Sequence, residues 1–480
     1  MDLISPLATT PPRPATEGNV VNDTHSRLNA TRVRDIVCVR TIADARNVIV
    51  TAAPNEHICI AGARHAMGGQ QFLDDGILLD TNGFDRVVGI DLRRGLVEVE
   101  AGIRWPSLIQ RLGELQCGEP HRWTIRQKQT GADELSIGGA LSANIHGRGL
   151  TMRPFIDDIE ALTLVNADGE LRTCSRTENR ELFRLAIGGY GLFGFVATVT
   201  LRLVRRRRLR RVVSLATTDR LASAFAERIA AGALYGDFQF AIDPRSADFL
   251  HRGILSTYVP TDTPDANKQS LALRADEWRE LLFLAHVDKS RAFELYAEHY
   301  IATSGQEYWS DSHQLSIYLD DYHGALDVRL SACGYGPPGT EVITELYVPL
   351  HQLSSFLAGA RADLRRHEVD VIYGTIRLIE RDDESFLPWA RKRSACVIFN
   401  LHTPHTVEGM ARSAAAFRRL IDLAIAEEGS FYLTYHRDAR RDQMLRCHPA
   451  LPALLRKKRE YDPGERFQSD WYRWCRELLR

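Results

Sequence analysis

The stretch "AGARHAMGG", residues 61–69, sets a histidine beside an arginine among small residues, between two apolar runs. An imidazole there could ligate a metal, act as a base, anchor a cofactor, or be a buried polar group of no special role. A second stretch, "TGADELSIGGALSANIHGRGL" (130–150), is punctuated by Gly131, Gly138, Gly139, Gly147 and Gly149. Small residues let backbone N–H groups approach a ligand, and such concavities favour phosphate oxygens. A packed loop over a sheet suits the same composition equally well. A third, "GGYGLFG" (188–194), contains G-x-G-x-x-G as Gly189, Gly191 and Gly194. An NAD-binding Rossmann reading needs a strand before the motif and a helix after it. The pattern here predicts the reverse order, so the glycines read as a tight helix-to-strand turn.

Polar residues on apolar strands form the second group of candidates. In "DVIYGTIRLIE", Tyr373, Thr375 and Arg377 share one face. In "SACVIFNLHT" Asn400 and His402 do, and in "DFQFAID" Asp237 and Gln239. Read as a strand, "GSFYLTYHRDAR" puts Tyr435 with Arg437 and Thr434 with His436. An arginine can stabilise a developing alkoxide and a histidine can take its proton. Arg377, His436, Arg437 and His402 are therefore the catalytic candidates, with a solvated or structurally bonded side chain as the plain alternative for each. "HTPH" places His402 and His405 three apart on an expected loop without nearby Cys or Asp, so no metal site is expected.

The elements that must hold these residues follow from periodicity. "HICIAG" and "GILLDT" read as strands, and "RVVGIDLRRGLVEVEAG" as two strands around a polar turn. "WPSLIQRLGEL" reads as a helix with proline in its first turn, and "DDIEALTLVNADGELRTC" as a hairpin. "ELLFLAHVDKSRAFELYAEHYIA" and "ARSAAAFRRLIDLAIAEEG" are amphipathic helices. The arginine run at 205–211 reads as the exposed edge of a strand leaving one domain for the next; a nucleic-acid patch would need a broader basic face.

The 480 residues, 44% hydrophobic and 26% charged, suit a globular protein of two or three domains. A formal net charge of −1 argues against nucleic acid or an anionic membrane as partner. The eight cysteines are scattered without C-x-x-C, which suits free thiols in a reducing cytoplasm. No stretch approaches the roughly 20 apolar residues of a membrane span, and the first residues lack the pattern of a signal peptide. Their Pro and Thr content suggests a mobile arm over 1–29.

In order along the chain, "AGARHAMGG", "TGADELSIGGALSANIHGRG", "VNADGEL" and "GGYGLFGFVATVTL" resemble the FAD-binding domain of the vanillyl-alcohol oxidase / p-cresol methylhydroxylase (PCMH) superfamily. The resemblance covers about residues 30–205 and, more weakly, the tail. "IHG" at 145–147 and "YDPGERFQSDW" look like the alditol oxidase, aldonolactone oxidase and decaprenylphosphoryl-ribose oxidase groups. It implies an α+β protein: a two-subdomain PCMH-type FAD-binding domain over 30–207, an α+β substrate cap over 208–430, and a segment over 431–480 that returns to the FAD domain.

The resemblance also implies site residues. His65 stands where many members bond the flavin 8α-methyl carbon, so FAD is expected to be covalent. Neutral imidazole nitrogen is a suitable nucleophile, and a tether raises the flavin's potential as an electron acceptor. Gly62, Ala63, Arg64 and His65 would wrap the pyrophosphate, with Thr130, Gly131, Ala132, Ser136, Gly138 and Gly139 on the other side. Asn144 and His146 would approach the flavin ring, and Val196 would offer its backbone. Residues 130–149 contain no cysteine for a second bond.

Alditol oxidases carry an arginine aligned with Arg377. Their neighbouring glutamate is Thr375 here, and a lysine of related enzymes is replaced by His436 and Arg437. The implied activity is oxidation of an alcohol carbon of a small sugar-, polyol- or lactone-like substrate, with hydride passing to flavin N5 and oxygen or a quinone as final acceptor. In aldonolactone-oxidising relatives the residue before H-G gates oxygen. Here it is Ile145, stiff at χ1, which implies slow oxygen use. Two other readings stay open: a flavoprotein of this fold catalysing cyclisation or another oxidative tailoring step, and a non-enzymatic polyanion-binding protein that has lost FAD.

Overall fold

The alternation in "LVEVE" puts Val97 and Val99 in the core of a five-stranded antiparallel sheet. The computed structural model describes residues 19–262, 271–316 and 322–480. In that sheet Leu96–Glu100 lies between Val87–Asp91 and Phe195–Arg202, with the hairpin Ile159–Val165 and Leu171–Ser175 beyond. A separate three-stranded parallel sheet comprises Asp35–Cys38, Ile77–Asp80 and Ile58–Ala61. Its apolar strands "ICIA" and "ILLD" end at the turns that carry Gly62 to His65 and Thr81.

The "GGYGLFG" turn joins the helix Arg180–Ala186 to the strand Phe195–Arg202, the order expected from the sequence. Glycine is required at Gly194, where φ is +145° and a Cβ would sit 2.7 Å from the Val165 carbonyl oxygen.

An eight-stranded sheet dominates the second half. Arg208–Thr217, Arg252–Pro260, Tyr235–Phe240, Val371–Ile379, Ser394–Pro404 and Gly339–Pro349 are successive neighbours, with short edge strands at Glu307–Trp309 and Ser430–Phe431. The helix Val407–Ala426 covers one face, where Thr403 and Ser413 hydroxyls meet at 2.9 Å. With mixed helices and sheets throughout, the fold class is α+β. No helix among the described residues is long and apolar enough to cross a membrane.

Four expectations need correction. Residues 1–18 of the expected mobile arm lie outside the described residues, but 19–29 are ordered. Asn19–Val21 pairs with Thr31–Val33, and buried Asp23 accepts from the backbone N–H of Ser26 at 2.6 Å and from Asn29 Nδ2 at 3.0 Å. The arginine run is not an exposed edge. Its strand is flanked on both sides; Arg208 and Arg210 pair outward with Glu307, while alternation turns Arg211 into the interior. The expected long helix over 280–302 is two, Ala275–Val287 and Lys289–Ala302, broken at Asp288, whose side chain caps the second by accepting from Arg291 N–H. Finally, "FYLTYH" is strand only at its first residue; Tyr432 to His436 form an irregular turn.

Candidate functional site

A cavity of about 570 Å³ lies where the two glycine-rich stretches face the eight-stranded sheet. Gly62, Ala63, Arg64 and His65 line one wall, and Thr130, Gly131, Ala132, Ser136, Gly138, Gly139 and Val196 line another. Arg64 adopts a left-handed conformation (φ 60°) that curves the chain around the cavity, and its guanidinium is held 2.8 Å from Asp80. Gly62 permits the two loops to meet, since a Cβ there would fall 2.1 Å from Ser136 Oγ. That hydroxyl also caps the helix Ile137–Ala143 by accepting from Gly139 N–H.

The sheet supplies the opposite wall by simple alternation. Glu345, Ile398, Thr375 and Gln239 form one row of directly paired residues across four strands, and all four line the cavity. Ile343, Asn400 and Tyr373 form the adjacent row, with Arg377 on the far side of the first. The shared face read for Tyr373, Thr375 and Arg377 is thus present, and Asp237 and Gln239 face the cavity together.

Glu345 is the centre of this wall. Tyr435 donates its hydroxyl to Glu345 Oε1 (3.0 Å), Tyr347 donates to Oε2 (2.9 Å), and His146 Nε2 lies 3.1 Å from Oε2. Gln129 Nε2 in turn donates to the Tyr435 oxygen at 2.6 Å. Burial alone would raise the Glu345 carboxyl, but His146, Arg377 and the Tyr347 hydrogen bond outweigh it and hold the group below its ordinary value. Glu345 was missed in the sequence; its signal is an acid centred in the apolar strand "EVITELYVP", where a charge needs a reason to be buried.

His65 is 8% exposed, with Nδ1 2.7 Å from His25 Nε2 on the ordered part of the N-terminal segment. Burial, with His25 and Arg104 nearby, pushes its pKa down to about 3, so the ring is neutral. Neutral imidazole is the nucleophilic form.

Several expected site residues lie elsewhere. His436 is on the opposite face of the sheet: its Nε2 is 3.2 Å from the hydroxyl of Thr344, which alternates with Glu345, and its ring stacks on Phe417 at 4.3 Å. The expected strand alternation fails because the chain turns after Phe431. Arg437 reaches Asn29 Oδ1 at 3.4 Å and does not line the cavity. His402 shares a sheet face with Asn400 but lies beyond the cavity, against Glu341. Asn144 is a left-handed cap (φ 47°) whose amide donates to Asp382 at 3.0 Å and accepts from Ile156 N–H at 2.9 Å; it does not line the cavity. His146 likewise stays behind the wall and meets it through Glu345.

The buried neutral histidines have a measurable consequence. His65, His436 and His448 are each pushed down to about 3, chiefly by burial. The unfolded chain binds protons at these sites from about pH 6.5 downward while the folded chain does not, so their contribution is complete above that pH and is lost as pH falls toward 3. We expect Tm to fall between about pH 7 and pH 5, and His448→Phe, whose ring can keep the edge contact with Phe431, to flatten the profile. A Tm independent of pH across this window would contradict the assignment.

The cavity fits a large polar cofactor. Gln70 Oε1, Thr130 Oγ1, Arg148 Nε, Gln239 Oε1, Arg377 Nε and Asn400 Oδ1 are buried without hydrogen-bond partners, and all belong to residues that line it. Buried polar atoms are normally satisfied, so a cluster of orphans around one cavity marks a place where a ligand completes the bonding.

Comparison with known proteins agrees. Residues 34–175 match the family described as FAD binding domain. An uncharacterized oxidoreductase of a fasciation locus in Rhodococcoides fascians is 34% identical over 169 residues, covering 35% of this chain and 37% of that protein. L-gulono-1,4-lactone dehydrogenase of Mycobacterium tuberculosis is 30% identical over 181 residues, covering 37% and 40%. Cytokinin dehydrogenase 8 of Oryza sativa subsp. indica is 28% identical over 219 residues, covering 42% and 39%. The matched part of the chain thus spans about two fifths of each relative's length. Residues 34–175 thus carry an FAD-binding domain of the PCMH type.

Proposed function

We propose that this protein is an FAD-dependent oxidoreductase that oxidises an alcohol carbon of a small sugar-, polyol- or lactone-like substrate. The observation that carries the reading is the polar wall of Arg377, Glu345 and Tyr435 facing the two glycine-rich loops across one cavity. In this reading residues 30–207 form a two-subdomain cofactor-binding unit joined by 19–29. Residues 208–430 form the cap, and 431–480 the returning segment, with Phe467 bridging to Ile58. The loops at 62–65 and 130–139 would hold the pyrophosphate, and His65 would tether the flavin.

Bound FAD supplies the acceptor for two electrons as hydride. The chain's own residues handle the proton. A substrate hydroxyl beside Tyr435 gives its proton toward Glu345 along the existing Tyr435–Glu345 hydrogen bond. Arg377, 5% exposed, stabilises the developing alkoxide. Gln129 orients Tyr435, and His146 and Tyr347 orient Glu345. Exclusion of water strengthens each of these interactions.

A second reading is a flat aromatic amine, the class to which a cytokinin belongs. Trp278, Tyr296, Tyr300 and Tyr308 line the outer cavity and suit a planar ring. One experiment separates the two. The yellow protein is mixed anaerobically with aldonolactones, alditols and cytokinins, and bleaching of the flavin absorbance is followed. Bleaching by a lactone or polyol supports the first reading, and bleaching by cytokinins alone favours the second. A colourless protein that takes up no added FAD rejects both.

Ile145 lines the same cavity and is buried. Its stiff side chain is expected to restrict oxygen. Stopped-flow mixing of the reduced protein with aerated buffer should show slow reoxidation, accelerated in Ile145→Gly. Rapid reoxidation in the wild type, unchanged in the variant, would remove Ile145 from that role.

A further inference from the structure

Away from the cavity, the same sheet holds a second buried carboxylate. Glu341 lies four residues before Glu345 on the strand Gly339–Pro349, on the same face, about 13 Å along it. It is directly paired with His402 on the neighbouring strand. The last turn of the helix Ala275–Val287 brings in His286. Glu341 Oε1 is 3.0 Å from His286 Nε2 and 3.5 Å from His402 Nδ1, and the three donor atoms all lie within 4.8 Å of one another. The three side chains are 6% exposed or less.

The hydrogen bonding around His286 is informative. Its Nδ1 is 2.8 Å from the Leu282 carbonyl oxygen, which can only accept, so Nδ1 carries the hydrogen. In the neutral ring Nε2 is then a lone pair aimed at a carboxylate oxygen. Two acceptors 3.0 Å apart need a cation between them, either a second ring proton or a metal ion. A proton on His286 serves that contact alone. A metal ion serves His286, His402 and Glu341 together. Backbone-carbonyl anchoring of the remote ring nitrogen is also how metal-binding histidines are commonly oriented. Glu341 is oriented too, since Tyr322 donates its hydroxyl to Oε2 at 2.8 Å. The ring of Tyr335 packs edge-on against both imidazoles and its hydroxyl donates to Asp370, itself paired with Lys289, so that carboxylate is already engaged.

We propose that His286, Glu341 and His402 form a binding site for a divalent transition ion of the zinc class. Tetrahedral zinc with nitrogen and oxygen ligands at about 2.0–2.1 Å places neighbouring ligand atoms about 3.3 Å apart, close to the 3.0 and 3.5 Å separations present. Two imidazoles and one carboxylate form a known zinc set, with a fourth position for water. The ion clips the helix Ala275–Val287 onto two strands of the sheet. That helix also carries Trp278 into the wall of the main cavity, so metal occupancy holds the cavity's outer wall in place. The site does not depend on what the cavity oxidises.

The test uses the full-length protein with its flavin, stripped by a chelator and titrated with zinc against a chromophoric competitor. The wild type should take up one equivalent at micromolar zinc and gain thermal stability. Glu341→Gln, which can keep the Tyr322 hydrogen bond, and His402→Ala should lose that equivalent while retaining the flavin spectrum. Should either variant fail to fold, X-ray absorption of the zinc-loaded wild type reads the ligands directly: two imidazoles with oxygen at about 2.0–2.1 Å are expected. No uptake by the stripped wild type, equal uptake by folded variants, or thiolate sulfur in the absorption spectrum overturns the proposal.

Discussion

Acid-precipitated wild-type protein should keep its yellow colour in the pellet, and His65→Ala should move that colour to the supernatant. His65 lines the cavity, is neutral at ordinary pH because burial holds its pKa near 3, and sits 2.7 Å from a second imidazole that fixes its ring. A nucleophile held in one orientation reacts from a prepaid geometry. The variant should still bind FAD if residues 62–64 and 130–139 hold the pyrophosphate as proposed, and the flavin's potential should fall with loss of the proposed tether. His25→Ala should slow tethering and leave FAD binding intact. This is read as the fraction of acid-stable flavin after timed reconstitution of the apoprotein. Colour wholly in the supernatant of the wild type would reject the tether without touching the assignment of FAD.

Replacing Arg377 with alanine should lower kcat/KM by about 10²–10³-fold, the loss of a preorganised donor worth roughly 3–4 kcal/mol. Arg377 is buried, its Nε has no partner within the protein, and it lies on the cavity wall beside the Glu345 row. The drop should fall mainly on kcat, because the alkoxide charge exists only as the reaction proceeds. Arg377→Lys keeps a positive charge without the planar fork and should recover part of the rate. An unchanged kcat/KM with a lower Tm would assign Arg377 to folding. His436→Ala should do just that, since the ring packs on Phe417 behind the sheet.

The local elements were legible because their patterns are local. "WPSLIQRLGEL" became the helix Trp105–Leu115, with proline in its first turn. The rejection of an NAD-binding Rossmann fold at "GGYGLFG" needed only the order of helix and strand, and that order is present. The glycine-rich stretches left a ligand loop and a packed loop equally open, and it was the family resemblance that pointed to thirteen cofactor residues, of which eleven line the cavity, all but Asn144 and His146. The placement of the catalytic candidates was less legible. Arg377 reaches the cavity wall as alternation predicted, because Val371–Ile379 is a true strand. His436 and Arg437 were misplaced because alternation was applied to a turn.

By itself the sequence determined the helix at Trp105–Leu115, the helix-to-strand order at "GGYGLFG" and the polar face of Val371–Ile379, since each depends on residues near one another in the chain. Only the tertiary structure decided which of those faces meet. Glu345 is joined to His146 across 199 positions and to Tyr435 across 90, and Glu341 to His286 across 55. Such contacts follow from strand order and register in the sheet. A one-residue slip in register would send every side chain to the other face, and no local pattern in the sequence records which strands become neighbours.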